Sequence, residues 1–521
     1  MLAQIMPVMA EENPDVHILR VVNSGMADID PATGSDGSST QAMINLYDPL
    51  VSEDQDGNLA PALATEWTIS EDGLTWNFKL REDVKFHDGS DFNAEDVVYS
   101  MNRLKDIGAG EAYLFGKVES VEAVSDYEVE FRLSETYGVF LTALTKFYIV
   151  NKELLEANLQ DGDYGENGDY GVGFLQTTDA GCGAYQVTEY ETGASVTAVK
   201  FDDYWAGWGE NPVEKVRFIS SDEAETVRTL MSNGDLEMAD EYQTPETNDL
   251  LASMEGISVF KKPTTSQDVI MLNTQRAPLD DVHVRKALAY AFDYTTAVNS
   301  IFPGSSKAKG CVPSTMAGFN EEALQYDQDL AKAQEELAAS AYADTIADYP
   351  VEISWCSGVN SQEQMALLFQ ACAMSIGINV QVTEYEWTTL CDAVSGPETT
   401  PNAVVMEIGN AYNDMGSELQ TTFSSQNTGV WSNTTWLNDA ELDAAIEDAL
   451  STPEPEARYE KYKAIQDTVM DLCPCIWVVD TVMPIAYRSA VLTWPMAEKA
   501  EAGEAFSRLK QYYFHDYTYI G

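Results

Sequence analysis

Positive charge is scarce in this chain: 29 lysines and arginines stand against 86 aspartates and glutamates, a formal charge of −57 over 521 residues and a pI near 4.1. A surface of that sign repels phosphate backbones and anionic headgroups, so nucleic acid is a poor candidate partner and none is expected. Histidine is scarcer still. His17, His87, His283 and His515 lie far apart, and none has the H-x-x-x-H or HExxH spacing of a metal site. No metal or other cofactor is therefore expected. Apolar runs are short, and none approaches the roughly 18 residues of a membrane span. The first ten residues, "MLAQIMPVMA", show no basic n-region and no clear cleavage site. Two readings stand open at this point: a cytoplasmic protein, or one whose export signal is absent from this sequence.

Cysteine pairs at CxxC spacing are missing as well, which excludes the common zinc and redox motifs. The seven cysteines allow one or two long-range disulfides and leave at least one thiol free, while Cys473-Pro474-Cys475 is too tight for easy mutual bridging. There is no GxSxG elbow, no GxxxxGK[ST] loop and no GxGxxG after a strand. With this many carboxylates, sequence pairs such as Glu71/Asp72 say nothing about acid/base catalysis. No catalytic residue is assigned, and the weight moves towards binding. The acids are dispersed, as "SEDQDG", "SEDG" and "REDV" illustrate, and read as a solvated surface. An acidic site for a cationic ligand is the lesser alternative.

What is present is a folding sequence, 45% hydrophobic and 10% aromatic, too long for one core. "VHILRVV" opens as a strand, followed by a Gly/Ser/Asp loop from Gly25 and a helical run from Gln41 capped at Ser39/Thr40. "TWNFKL" alternates around the Asp72-Gly73 turn, a hairpin signal, and a second hairpin turns at Ser125-Asp126. "NAEDVVYSMNRLKD" reads as an amphipathic helix with Asn93 as cap. Glycine concentrates between Gly162 and Gly173, a domain crossing by composition. A third hairpin turns near Thr192-Gly193. A helix ends at Asn233-Gly234 with a strand expected next, and "LDDVHVRKALAYAFDYTTAV" carries Val284, Leu288, Ala291 and Phe292 on one face. "VEISW", "SQEQMALLFQACAMSIGINVQVTEYEW", two further helices and the strand "CIWVVD" complete a mixed α/β pattern. Tyr113, Trp387, Trp431, Trp436 and Trp494 sit in or beside polar loops, where a cleft can use them.

The stretch from Leu46 to Ser100 resembles the peptide/nickel class of ABC-transporter solute-binding proteins. It meets, in order, L-Y-(E/D)-x-L, P-x-L-A-x-x-W, D-G-x-x-(W/Y)-x-F-x-L-R-x-x-V-K-F-H-D-G and F-x-A-x-D-V-x-x-(S/T). "GCGAYQVTEYETG", "DDYWAG", "SNGDLEMAD", "NTQRAPLDDVHVRKALAYAFD" and "SIGINVQVTEYEW" continue in register, so the resemblance covers residues 16 to 490. It implies an α/β, two-lobed periplasmic-binding-protein-like fold of class II, cluster C, with an extra inserted domain. One lobe is split as 16–44, 172–263 and 485–521, the insertion is 45–171, and the second lobe is 264–484. The implied function is capture of a peptide or other small solute by hinge closure and delivery to a membrane permease with its ATPase. The protein would act outside the cytoplasm as a monomer, in the periplasm or as a cell-surface lipoprotein. A non-peptide solute, an acid/base hydrolase and a signalling receptor on the same fold are the alternatives.

Peptide-binding relatives carry W-x-x-D-x-x-(D/E)-P after a strand, and its aspartate holds the amino terminus. Here Ile408 takes the tryptophan position, Ala411 the aspartate, Asp414 the next acid and Met415 the proline, so that anchor is replaced. Where dipeptide binders place an arginine for the carboxylate, the nearest residues are Glu363 and Gln364; Lys307 and Lys309 could substitute, although they read better as surface lysines. The resemblance implies a ligand-lining set of Ser35, Asp36, Gly37, Tyr113, Asp240, Tyr242, Trp387, Ile408, Gly409, Asn410 and Ala411. Asp36 is the replacement ammonium anchor in this alignment.

Overall fold

The computed structural model describes residues 17–520 apart from 24, 26, 222, 411, 503, 505 and 508; the side chains of 262, 263 and 483 are not described. The N-terminal stretch read for an export signal and Ala411 therefore lie outside the described residues. The chain opens with β1 (Ile18–Asn23), α1 (Gly37–Leu46), β2 (Ala64–Ile69), β3 (Thr75–Leu80), α2 (Ala94–Ile107), β4 (Val118–Ser125) and β5 (Glu128–Leu133). It continues through β6 (Tyr185–Glu191), β7 (Ser195–Lys200), β8 (Lys215–Ser220) and α3 (Ala224–Asn233) to a long strand, β9 (Ser258–Leu272). Then come α4 (Val282–Ala291), β10 (Ser306–Lys307), β11 (Val351–Cys356), α5 (Asn360–Ser375), β12 (Val380–Tyr385) and β13 (Ala403–Gly409). Helices α6 (Ala440–Leu450) and α7 (Pro455–Leu472) lead into a second long strand, β14 (Cys475–Tyr487).

Local chemistry explains the regular parts. β2 and β3 pair across a turn in which Gly73 takes φ +73°, a left-handed conformation that glycine reaches without a Cβ clash. α2 starts with a reciprocal capping box: Asn93 accepts from the Glu95 amide while Asp96 accepts from the Asn93 amide at 2.9 Å. α1 corrects the expected cap. Asp36, in extended conformation, accepts from the Ser39 amide at 3.1 Å and its hydroxyl at 2.9 Å, so the helix begins one turn earlier than Ser39/Thr40 implies. The strand expected after Asn233-Gly234 is also corrected. Met238 makes only single bridges to Val21 and Tyr487, because Glu237 turns inward to a buried ion pair with Arg20 at 2.7 Å. α4 stops at Ala291, with Phe292 extended, short of the full run read as helix. All seven cysteines are free thiols.

Three main sheets result. One has order β1-β8-β7-β6, with β1 and β8 parallel; a second, β2-β3-β5-β4, is antiparallel throughout. The third is six-stranded, β10-β14-β9-β13-β11-β12. β9 and β14 tie the two lobes together. Phe260 and Ile485 lie in the core around the first sheet, whereas Val269–Leu272 and Ile476–Val479 lie in the core of the six-stranded sheet. The register between them shifts between Pro263 and Gln267, where the strands cross from one core to the other. The site opens beside this crossing.

Candidate functional site

A cavity of about 1180 Å³ lies between the lobes and is lined from every unit of the fold. From the first lobe come Ser35, Asp36 and Gly37 at the start of α1, and the segment Asp240 to Thr244. The β2–β5 unit adds Lys105, Glu111, Tyr113 and Lys146; the six-stranded lobe adds Trp387, Met406 to Asn410 and Trp431.

Each wall has a local cause. α2 ends at Gly108 in the left-handed region, which turns the chain into the loop bearing Glu111 and Tyr113. The Tyr113 hydroxyl hydrogen-bonds the buried Glu111 carboxylate. Burial pushes Glu111 up, with Lys146 opposing, and pulls the Lys146 ammonium down against Glu111 and Glu53. On the far wall β13 runs beside β9 so closely that a Cβ at Gly409 would sit 2.6 Å from Ser266 Oγ. Ile408 is a core residue at 2% exposure that also forms cavity floor. Asn410 donates to the Glu418 carboxylate at 3.0 Å. Trp387 and Trp431 pack with ring centroids 5.8 Å apart, an aromatic wall for an apolar part of a solute.

The charge of the lining is lopsided. Asp36, Glu53, Glu111, Asp240, Glu241, Glu386 and Glu407 face two lysines, with no arginine or histidine among the described lining. Lys105 is already committed to the Val118 carbonyl. Asp240 accepts from the Tyr242 amide at 2.9 Å and Gln243 Nε2 at 3.0 Å, yet burial raises its carboxyl to about 7. Burial raises Glu407 to about 7 as well, with Glu241 adding to it and a Ser266 hydrogen bond opposing. Glu407 stands directly across from Asp268 in the β9–β13 register, and burial together with Glu407 drives Asp268 far above its ordinary value. Like charges directly opposite on a sheet are unfavourable.

Of the residues expected to line the site, Ser35, Asp36, Gly37, Tyr113, Asp240, Tyr242, Trp387, Ile408, Gly409 and Asn410 meet at this one cavity. Asp414 does not. It is buried in an ion pair with Arg458 at 3.0 Å and accepts from Tyr462 at 2.7 Å. Lys307 pairs with Asp327, and neither it nor Lys309 reaches the cavity. At the α5 start Asn360 and Gln362 face the main cavity in place of Glu363 and Gln364. Glu241 falls within the segment Asp240 to Tyr242 expected from the first lobe, whereas Glu407, Gln243, Lys146 and, in the second cavity, Asp268 were not expected. A visible signal existed for Glu407 and Asp268: each is an acid inside an apolar strand run, "VVMEIG" and "QDVIML".

Chemically, the arrangement can enclose a solute and offer it acceptors and aromatic faces. Among the described residues no group of three or more His, Cys, Asp and Glu side chains is placed to hold a metal ion. Asp268 opens on a second cavity of about 760 Å³ that Glu241, Gln243 and Glu407 also line, so these acids stand where the two cavities meet.

Comparison with known proteins places this geometry. The family model described as "Bacterial extracellular solute-binding proteins, family 5 Middle" matches residues 58–430. The chain is 27% identical over 456 residues to the probable D,D-dipeptide-binding periplasmic protein DdpA of Escherichia coli, covering 85% of this chain and 84% of that protein. It is 28% identical over 481 residues to heme-binding protein A of Haemophilus influenzae, covering 87% and 85%. Among solved structures, the periplasmic binding protein DppA of Helicobacter pylori, in complex with the peptide STSA, superposes with a TM-score of 0.84 at 22% identity, over 97% of this chain and 98% of that one.

Proposed function

The chain belongs to the bacterial extracellular solute-binding proteins of family 5, and from that premise we propose that it captures a peptide or another small nutrient for an ABC importer. The observation that carries the reading is the interlobe cavity. Its volume, about 1180 Å³, exceeds the roughly 300–1,000 Å³ of most small-molecule sites and suits a solute of peptide size. Because its walls come from separate units, a solute touching all of them favours the closed form over the open one. Lining by Ser35, Asp36, Gly37, Tyr113, Asp240, Tyr242, Trp387 and Ile408 to Asn410 is part of this proposal, as is the division of the chain at residues 44, 171, 263 and 484. So is action as a monomer that hands solute to a membrane permease.

The fold alone does not choose the solute. Relatives of similar identity are named for a D,D-dipeptide and for heme. The experiment is mass spectrometry of small molecules released by denaturing the protein as purified, followed by calorimetric titration of whatever is found. A stoichiometric solute that rebinds supports the reading. The absence of both a released solute and stabilisation by any member of a peptide, sugar and amine panel would sink it, since a ligand at about 100 times its Kd adds roughly 2.7 kcal/mol.

A further inference from the structure

The cavity has an end that the established family description leaves unassigned. Asp268 and Glu407 are cross-strand neighbours on β9 and β13, and Asp240 and Glu241 approach them from the first lobe. Among the described residues, no lysine, arginine or histidine forms an ion pair with any of the four. Gln243 borders both cavities beside them; its amide nitrogen donates to Asp240, which leaves its carbonyl oxygen facing the other way with no partner.

That oxygen is not alone. Asn23, Gln41 and Gln243, at 4%, 5% and 7% exposure, all line the main cavity, and in each the carbonyl oxygen lacks a donor. The Asn410 carbonyl oxygen is in the same condition, its nitrogen being held by Thr265 and Glu418. Every one of these orphans is an acceptor. Buried acceptors without donors are unfavourable by roughly 1–3 kcal/mol each, and their complement is a group rich in N–H.

Resting on the solute-binding reading above, we propose that Asp240, Glu241, Asp268 and Glu407, with the Gln243 carbonyl, form a receptor for a cationic nitrogen group of the solute, an ammonium or a guanidinium. The position joins the lobes, so the cation bridges residues of both and closure follows from its binding. Around the cluster the remaining titratable groups are Tyr242, Tyr512, whose hydroxyl donates to Glu241 at 3.2 Å, and Lys261, Glu246 and Asp249 along the second cavity. Buried carboxyls that hold protons when empty ionise when a cation arrives, so binding near pH 6 releases protons.

The test is calorimetry on the intact protein with matched probes: trialanine, N-acetyl-trialanine, trilysine, agmatine, spermidine and maltotriose. The expected result is tightest binding by a probe with a free ammonium or guanidinium. N-acetylation should weaken trialanine by about tenfold or more, and Glu407→Gln should erase that preference. Titration at pH 6 in buffers of different ionisation enthalpy should show proton release by the wild type, a readout that stands even if Glu407→Gln fails to fold; Asp240→Asn is the second variant. Trialanine distinguishes a terminal amine from the side-chain groups that trilysine and agmatine present. Equal binding of N-acetyl-trialanine or maltotriose, without proton release, overturns the proposal and leaves solute binding intact. No binding by any probe overturns the proposal, while the solute-binding reading falls only if the purified protein also releases no solute.

Discussion

Glu407 and Asp268 face each other across two hydrogen-bonded strands, and the stability of the empty protein should register it. Burial raises Asp240 and Glu407 to about 7, and Asp48 and Asp96 to about 6, from ordinary values near 4. The folded state therefore holds more protons than the unfolded chain between those limits. The stabilisation is complete below about pH 4 and is lost as pH climbs through about 7. The melting temperature of solute-free protein should fall steadily from pH 5 to pH 8 in scanning calorimetry. Glu407→Gln should stabilise the protein at pH 8 by about 1 kcal/mol or more and leave its melting temperature nearly unchanged at pH 5. An equal gain at both pH values would mean that packing, not ionisation, separates the two side chains. Gly409 gives a second test on the same pair of strands. A methyl there meets Ser266 Oγ at 2.6 Å and Ser266 Cβ at 3.3 Å, so Gly409→Ala should destabilise by about 1–3 kcal/mol in urea titration. Combining it with Ser266→Ala should recover part of the loss, the non-additivity expected of residues in contact.

At the scale of elements, the division between what the sequence reveals and what it hides follows contact distance along the chain. The Asp72-Gly73 hairpin and the Asn93 cap of α2 were legible because their causes lie within a few residues. The family resemblance over residues 16 to 490, not local patterning, suggested Tyr113 and Trp387 as lining residues, and both border the one cavity. Glu407 escaped notice because its meaning depends on Asp268, its cross-strand partner, and on Asp240 and Glu241 arriving from another lobe. Met238 reads as a strand by local pattern, yet the inward turn of Glu237 limits it to single bridges. Asp36 shows how one residue can serve an element and a site together. Its carboxylate is engaged by Ser39 twice, so its first role is to cap α1. Asp36→Ala should cost about 1 kcal/mol of stability, whereas Asp36→Asn, which can still cap, should cost little. If Asp36→Asn nevertheless weakens solute binding in calorimetry, the charge serves the cavity as well as the helix.

For the whole molecule the question is what holds the cavity shut. Besides the crossing strands, the β2–β5 unit touches the six-stranded lobe directly: the Gly138 amide donates to the Leu450 carbonyl at 2.8 Å, and Lys117 pairs with Glu447. The side chains of Tyr137 and Tyr412, one from each of these units, approach one another at the same seam. The approach is so close that a Cβ at Gly138 would lie 2.3 Å from the Thr452 carbonyl oxygen and 2.8 Å from its carbon. Backbone cannot swing aside as a side chain can, so Gly138→Ala must wedge this seam open while leaving the cores of both lobes untouched. The closed form then becomes a smaller fraction of the population, and apparent affinity falls by that fraction. A closure penalty of about 1.4 kcal/mol would weaken binding tenfold. The expected signature is a larger radius of gyration in small-angle X-ray scattering without solute, a contraction on saturation, and a raised Kd with a nearly unchanged urea midpoint for the solute-free protein. A variant that scatters and binds as the wild type does would show that the β2–β5 unit is a bystander, and that β9 and β14 alone govern closure.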